Sequence, residues 1–129
     1  MSLNILIAED NQYTALQYER ILSKYGHKLV ITKDGEDCLE KFNNEVKKSE
    51  FESLDKNPFD LVILDHSMPK KTGAQVADEI LTKKPYQRVI FASAYAMTSE
   101  QNAEKFKDKV EFLQKPFSLT KFVKVVTNQ

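Results

Sequence analysis

Two acids stand side by side at Glu9-Asp10, directly after the apolar run Leu3 to Ala8, and a third, Asp65, closes the run Leu61 to Leu64. Ser93 follows Val89 to Ala92, and Lys115 comes just after Val110 to Leu113. An anion at the end of an apolar run is costly unless something compensates it. Two carboxylates about 4 Å apart repel by roughly 4 kcal/mol at an effective dielectric near 20. Three carboxylates with one lysine stay under-compensated, and a hard divalent cation relieves the deficit. Mg²⁺ commonly takes one or two carboxylates, waters and phosphate oxygens, and Mn²⁺ accepts the same donors. A nucleophilic carboxylate, an ammonium and a hydroxyl donor beside such an ion make a phosphoryl-transfer site, with Asp65 as the acceptor.

Taken singly, each of these residues has an ordinary structural role. An acidic pair can cap a helix N-terminus and sit well in its dipole. Asp65 can cap a turn before Pro69, Ser93 can be a small residue at a strand end, and Lys115 a solvated side chain. Their joint placement is what argues for chemistry, and that placement depends on the elements between them.

Five short apolar runs recur, at Leu3 to Ala8, Leu29 to Ile31, Leu61 to Leu64, Val89 to Ala92 and Val110 to Leu113. The first, third and fourth are nearly continuous, as in parallel strands covered on both faces. Helical spacing fills the gaps between them. Ala15, Tyr18, Leu22 and Tyr25 form one stripe, closed by Gly26 as a C-terminal stop. Leu39, Phe42 and Val46 form a second, and Gly73, Val76, Ala77, Ile80 and Leu81 a third. Thr98 to Phe106 predicts a weaker helix, and Leu119, Phe122, Val123 and Val126 a last short one after Pro116 and Ser118. Strand and helix alternate, so an α/β fold with an open parallel sheet and helices on both faces is expected. In such sheets ligands gather at the carboxyl ends of the strands, where strand order reverses. Glu9, Asp10, Asp65, Ser93 and Lys115 would all lie on that rim, from four strands.

The motifs "ILIAEDN", "DLVILDHSMPKKTG", "VIFASA" and "FLQKPF" stand in order along the chain, and over nearly its whole length it resembles the receiver domain of two-component response regulators. The resemblance implies a flavodoxin-like (βα)5 doubly wound sandwich, its five-stranded parallel sheet in the order 2-1-3-4-5. Residues 1–129 would form one receiver domain without an output domain. The resemblance implies phosphorylation of Asp65 in a Mg²⁺-dependent reaction, by a histidine kinase or a histidine phosphotransfer protein. Asp10 and Asp65 would bind the metal directly, Glu9 through water, and the Ser67 carbonyl as a further ligand. Lys115 and the Ser93 hydroxyl would contact the phosphoryl oxygens, with the backbone N–H groups of His66 and Ala94 completing the cradle. Ser93 and Phe112 would form a switch that remodels the face of the fourth helix, fifth strand and fifth helix for an unidentified downstream protein. Ser67 and Tyr95 take the places that line the approach of water in this family. The chain would be a signalling switch or a phosphorelay intermediate, monomeric or dimerising on phosphorylation, and an enzyme only toward its own phosphate.

Departures from the family pattern are local. Glu9 replaces the commoner aspartate, Ser93 the commoner threonine, and Phe112 lacks a phenol oxygen. The connection from Asn43 to Pro58 is about ten residues longer than the compact family form. It reads as an extension of the second helix followed by a surface loop. Two rival classes fit less well. Aspartyl-phosphate phosphatases place an aspartate two residues past the nucleophile, where this chain has Ser67. A flavin binder needs a phosphate loop after the first strand, where Glu9 and Asp10 would repel phosphate.

Composition bounds the reading. The 129 residues are 41% apolar and 29% charged, the proportions of a globular domain. Nineteen basic side chains balance nineteen acidic ones, so no net field favours direct binding to nucleic acid or membrane. The lone Cys38 excludes an internal disulfide. No apolar run nears the roughly 20 residues that span a bilayer, and the first residues do not form a secretory signal, so a cytoplasmic location is expected. One prediction concerns lifetime. With the bulk of Tyr95 removed, a Tyr95→Ala protein should lose its phosphoryl group faster than the parent; equal rates of loss would dismiss that shielding role.

Overall fold

The apolar runs become strands because β-branched and aliphatic residues fit a pleated sheet better than a helix, and the first, third and fourth runs are buried on both sides. The computed structural model describes residues 2–49, 57–93, 106 and 108–128. Its strands are β1 (Asn4–Ala8), β2 (Lys28–Thr32), β3 (Leu61–Asp65), β4 (Val89–Ser93) and β5 (Glu111–Gln114). All neighbours pair in parallel, in the order β2-β1-β3-β4-β5. That is the order expected of the flavodoxin-like arrangement. From β1 the chain crosses to β2 on one side and returns to β3 on the other, so the strand order reverses between β1 and β3. A crevice opens there at the carboxyl ends.

Four helices lie among the described residues: α1 (Gln12–Lys24), α2 (Gly35–Ser49), α3 (Gly73–Lys83) and α4 (Leu119–Thr127). Their starts are set by short polar side chains. Asn11 accepts from the Thr14 N–H at 2.9 Å, and Ser118 accepts from that of Lys121 at 3.0 Å. Thr72 and Gln75 form a reciprocal capping box at α3. The acidic pair is therefore not the cap of α1; Asn11 is. Gly26 ends α1 at φ +85°, a conformation natural to glycine, and Tyr25 beside it is exposed rather than part of the buried stripe. α2 continues to Ser49, which accounts for the first part of the long connection. Residues 50–56 of that connection, and most of the helix expected at 98–106, lie outside the described residues. Phe106 is described, and it is buried edge-on against Phe91 with ring centroids 5.3 Å apart.

Side-chain alternation divides the core in two. Leu6, Ala8, Val62, Leu64, Val89 and Phe91 face α2 and α3. Ile5, Ile7, Leu61, Ile63, Ile90, Ala92 and Leu113 face α1 and α4, against Tyr18, Leu22, Phe122 and Val126. Because the strand period is two residues, carrying the second set one step on puts Glu9, Asp65 and Lys115 on the α1/α4 face of the rim.

Arg88, just before β4, closes the opposite end of the sheet. Its guanidinium grips both carboxylate oxygens of Glu111 at 2.7 and 3.0 Å and donates to the carbonyls of Val126 and Val125 at 2.7 and 2.6 Å. It thus joins the edge strand to the end of α4, where unpaired carbonyls favour a cation. Arg88→Ala should lower stability by about 2 kcal/mol, and Glu111→Ala by less, since the helix carbonyls keep their donor. Urea denaturation measures both; equal losses would contradict the ranking.

Candidate functional site

Strand register brings the chain's distant acids together. Ala8 pairs with Leu64, so Glu9 and Asp65 emerge from adjacent strands at the same height. Asp65 in turn lies level with Ala92, and Ser93 with Gln114, which sets Lys115 one step beyond. Glu9, Asp10 and Asp65 each offer a carboxylate oxygen within 4.8 Å of the others. Glu9 is buried, Asp65 partly so and Asp10 exposed.

Glu9 is held on both oxygens. Oε1 accepts from Lys115 Nζ at 2.7 Å, and Oε2 from the Asn11 N–H at 3.2 Å. The same ammonium lies 3.9 Å from Asp65 Oδ1, a contact that is weaker by distance. Asp65 Oδ1 also accepts from the Ser67 N–H at 3.4 Å, a long bond. The lysine therefore neutralises Glu9 first and leaves Asp65 under-compensated. Burial pushes the Asp65 carboxyl up to about 7, Glu9's negative charge adds to the rise, and Lys115 opposes it.

The loops fit closely around this centre. The Gly73 N–H donates to the His66 carbonyl at 3.1 Å, and a side chain at 73 would collide with the carbonyl of Asp65. That collision explains why glycine stands at position 73. Lys115 N–H donates to the Ser93 carbonyl at 2.6 Å, which fixes the start of the β5–α4 loop to the end of β4. Ser93 itself is buried, His66 is half-buried and Ser67 is exposed. Phe112 is half-exposed, its ring centroid 5.7 Å from that of Phe91. Ala94 and Tyr95 lie outside the described residues.

The structure thus brings together Glu9, Asp10, Asp65 and Lys115, with Ser67 and Ser93 on adjoining backbone. Tyr18 is a residue of this region that sequence reasoning placed only in a helical core stripe. It lies on the α1/α4 face, its ring stacked 4.6 Å from Phe122 and 6.2 Å from Phe117. Burial raises its phenol above the usual value, and the charges of Glu9 and Asp65 add to that.

The donor set suits a hard cation. It is made of carboxylate oxygens with no sulfur or imidazole among them, and added positive charge would draw the raised Asp65 carboxyl back toward its ionised form.

Comparison with known proteins agrees with this architecture. The profile described as "Response regulator receiver domain" matches residues 5–127. Response regulator RR06 of Streptococcus pneumoniae is 28% identical over 95% of this chain and 50% of its own length. The aerobic respiration control sensor protein ArcB of Escherichia coli is 32% identical over 87% of this chain but only 12% of its own length. The chain spans half or less of these curated relatives. The CheX–CheY–BeF3–Mg²⁺ complex of Borrelia burgdorferi includes a chain 29% identical to this one, with a TM-score of 0.78, covering 97% of this chain and 87% of that one.

Proton linkage supplies a test. The native Asp65 keeps its proton up to about pH 7, while an unfolded one ionises near 3.8. Between those values the native state holds more protons, so this carboxyl's contribution is complete below the lower value and is lost as pH rises through the upper one. In chelator, the stability of the parent relative to Asp65→Asn should fall by on the order of 2 kcal/mol from pH 5 to pH 8. A constant difference across that range, read by urea denaturation, would contradict the assignment.

Proposed function

The chain belongs to the response regulator receiver domain family, and we propose that it works as a switch that accepts a phosphoryl group on Asp65. What carries the reading is the imbalance at the β1–β3 crevice, where three carboxylates crowd one ammonium and that ammonium sits on Glu9. Asp65 is the under-compensated acid and the nucleophile of the proposal. A bound Mg²⁺, held by Asp10, Asp65 and the Ser67 carbonyl, with Glu9 acting through water, would supply charge neutralisation for the incoming phosphoryl oxygens.

The chain's own groups do the rest. An Asp65 carboxylate oxygen attacks phosphorus in line, the phosphorus–nitrogen bond of a phosphohistidine breaks, and its electron pair stays on the departing imidazole. The Lys115 ammonium, 3.9 Å from Asp65, lies where it can meet the phosphoryl oxygens. The Ser93 hydroxyl and the N–H groups of His66 and Ala94 complete the proposed cradle. Movement of Ser93 toward the phosphate would let the half-exposed Phe112 turn inward, altering the surface around β5 and α4.

The phosphodonor in this reading is a histidine kinase or phosphotransfer protein, a class supported by the likeness to part of the ArcB sensor. The output is either docking on a downstream protein or onward relay of the phosphate to a histidine. No helix among the described residues is long and apolar enough to cross a membrane.

With acetyl phosphate and Mg²⁺, intact-mass spectrometry should show one added phosphoryl group, absent in chelator and in Asp65→Asn. Lys115→Ala should slow the labelling about 100-fold, the scale of losing a charged transition-state donor. An Asp65→Asn protein labelled as fast as its parent would overturn the proposal.

A further inference from the structure

Tyr18 carries a buried hydroxyl that has no hydrogen-bond partner among the described residues. Its side chain leans toward the start of α1, as helical side chains do, and so toward the rim where the acids stand. The stack with Phe117 and Phe122 fixes the ring. Phe117 belongs to the loop that begins at Lys115, and Tyr18 shares the sheet face that leads up to Glu9, Asp65 and Lys115. Burial raises the phenol, the charge of Glu9 adds to the rise and that of Asp65 adds less, so the group stays a neutral donor.

Glu9 presents the complementary need. It is buried, and Oε1 depends on the Lys115 ammonium at 2.7 Å. If that ammonium moves to phosphoryl oxygens on Asp65, Oε1 loses the one protein donor it has among the described residues. An unpaired buried carboxylate oxygen and an unpaired buried hydroxyl on the same face each penalise the structure until they meet.

We propose that Tyr18 is a positioning residue of the acid site, its hydroxyl donating to Glu9 when Lys115 transfers to the phosphoryl group. The inference rests on the phosphoryl-acceptor reading of Asp65. It gives α1 a direct part in the switch: a hydroxyl without a partner among the described residues gains one in the modified state.

The test uses Mg²⁺ with beryllofluoride, a phosphoryl mimic, on the full chain. Tyr18→Phe removes only the hydroxyl and keeps the stacked rings. We expect its beryllofluoride affinity to fall about tenfold while its affinity for Mg²⁺ alone stays within about twofold of the parent. Equal beryllofluoride affinity would overturn the inference, as would an equal weakening of both ligands, the mark of a merely structural role. In the unsubstituted protein, the ring Cζ resonance of Tyr18 should shift with Mg²⁺ and beryllofluoride together and stay put with Mg²⁺ alone. An unmoved resonance in a saturated protein overturns the inference even where the variant folds poorly. Failure of the unsubstituted protein to bind beryllofluoride would instead overturn the phosphoryl-acceptor reading, and the inference with it.

Discussion

One ammonium facing three carboxylates is the constraint on which the rest of this molecule turns. Lys115 cannot neutralise Glu9, Asp10 and Asp65 together, and its 2.7 Å contact with Glu9 leaves it 3.9 Å from Asp65. The strain shows at Asp65, whose carboxyl is pushed up to about 7 chiefly by burial and further by the charge of Glu9. Such a site is unsatisfied by design of its surroundings. It is stable enough to fold and short of positive charge, which is the condition under which a hard cation binds favourably.

The scaffold exists to hold that tension in place. The acids cannot spread apart, because β1 and β3 are paired residue for residue up to Ala8 and Leu64. Nor can the loop behind Asp65 retreat, since Gly73 packs directly on that residue's own carbonyl. Lys115 is tied at its backbone to Ser93. At the other end of the sheet, Arg88 fastens β5 to the last turn of α4. The rigid end and the charged end are thus separated by the length of the strands, as in enzymes and switches that place strain on a rim supported from below.

Much of this arrangement could be read from residues. Continuous apolar runs announce parallel strands, and the acids that close them mark the rim. Glycine at 73 and serine or threonine before α3 and α4 carry their own local physics. Partner choice was less legible. Glu9 and Lys115 are 106 positions apart, and only the folded side chains show that the lysine lies 2.7 Å from Glu9 and 3.9 Å from Asp65. Tyr18 reads as one more apolar helical position, because spacing reports which face a residue occupies and nothing of where its hydroxyl ends. Tyr25, on the same stripe, falls at the end of α1 and is exposed, an outcome fixed by where the chain turns at Gly26. Asn11 rather than the acids caps α1, a distinction of one residue that spacing does not resolve.

Calorimetric titration of the chelator-treated protein with Mg²⁺ at pH 7, repeated in buffers of different ionisation heat, reaches the central claim most directly. A single saturable site that releases protons on binding, lost in Asp10→Asn, is the predicted result, because the cation displaces the proton from the raised Asp65 carboxyl. Saturable binding that persists unchanged in Asp10→Asn, or no binding with the fold intact, would contradict it.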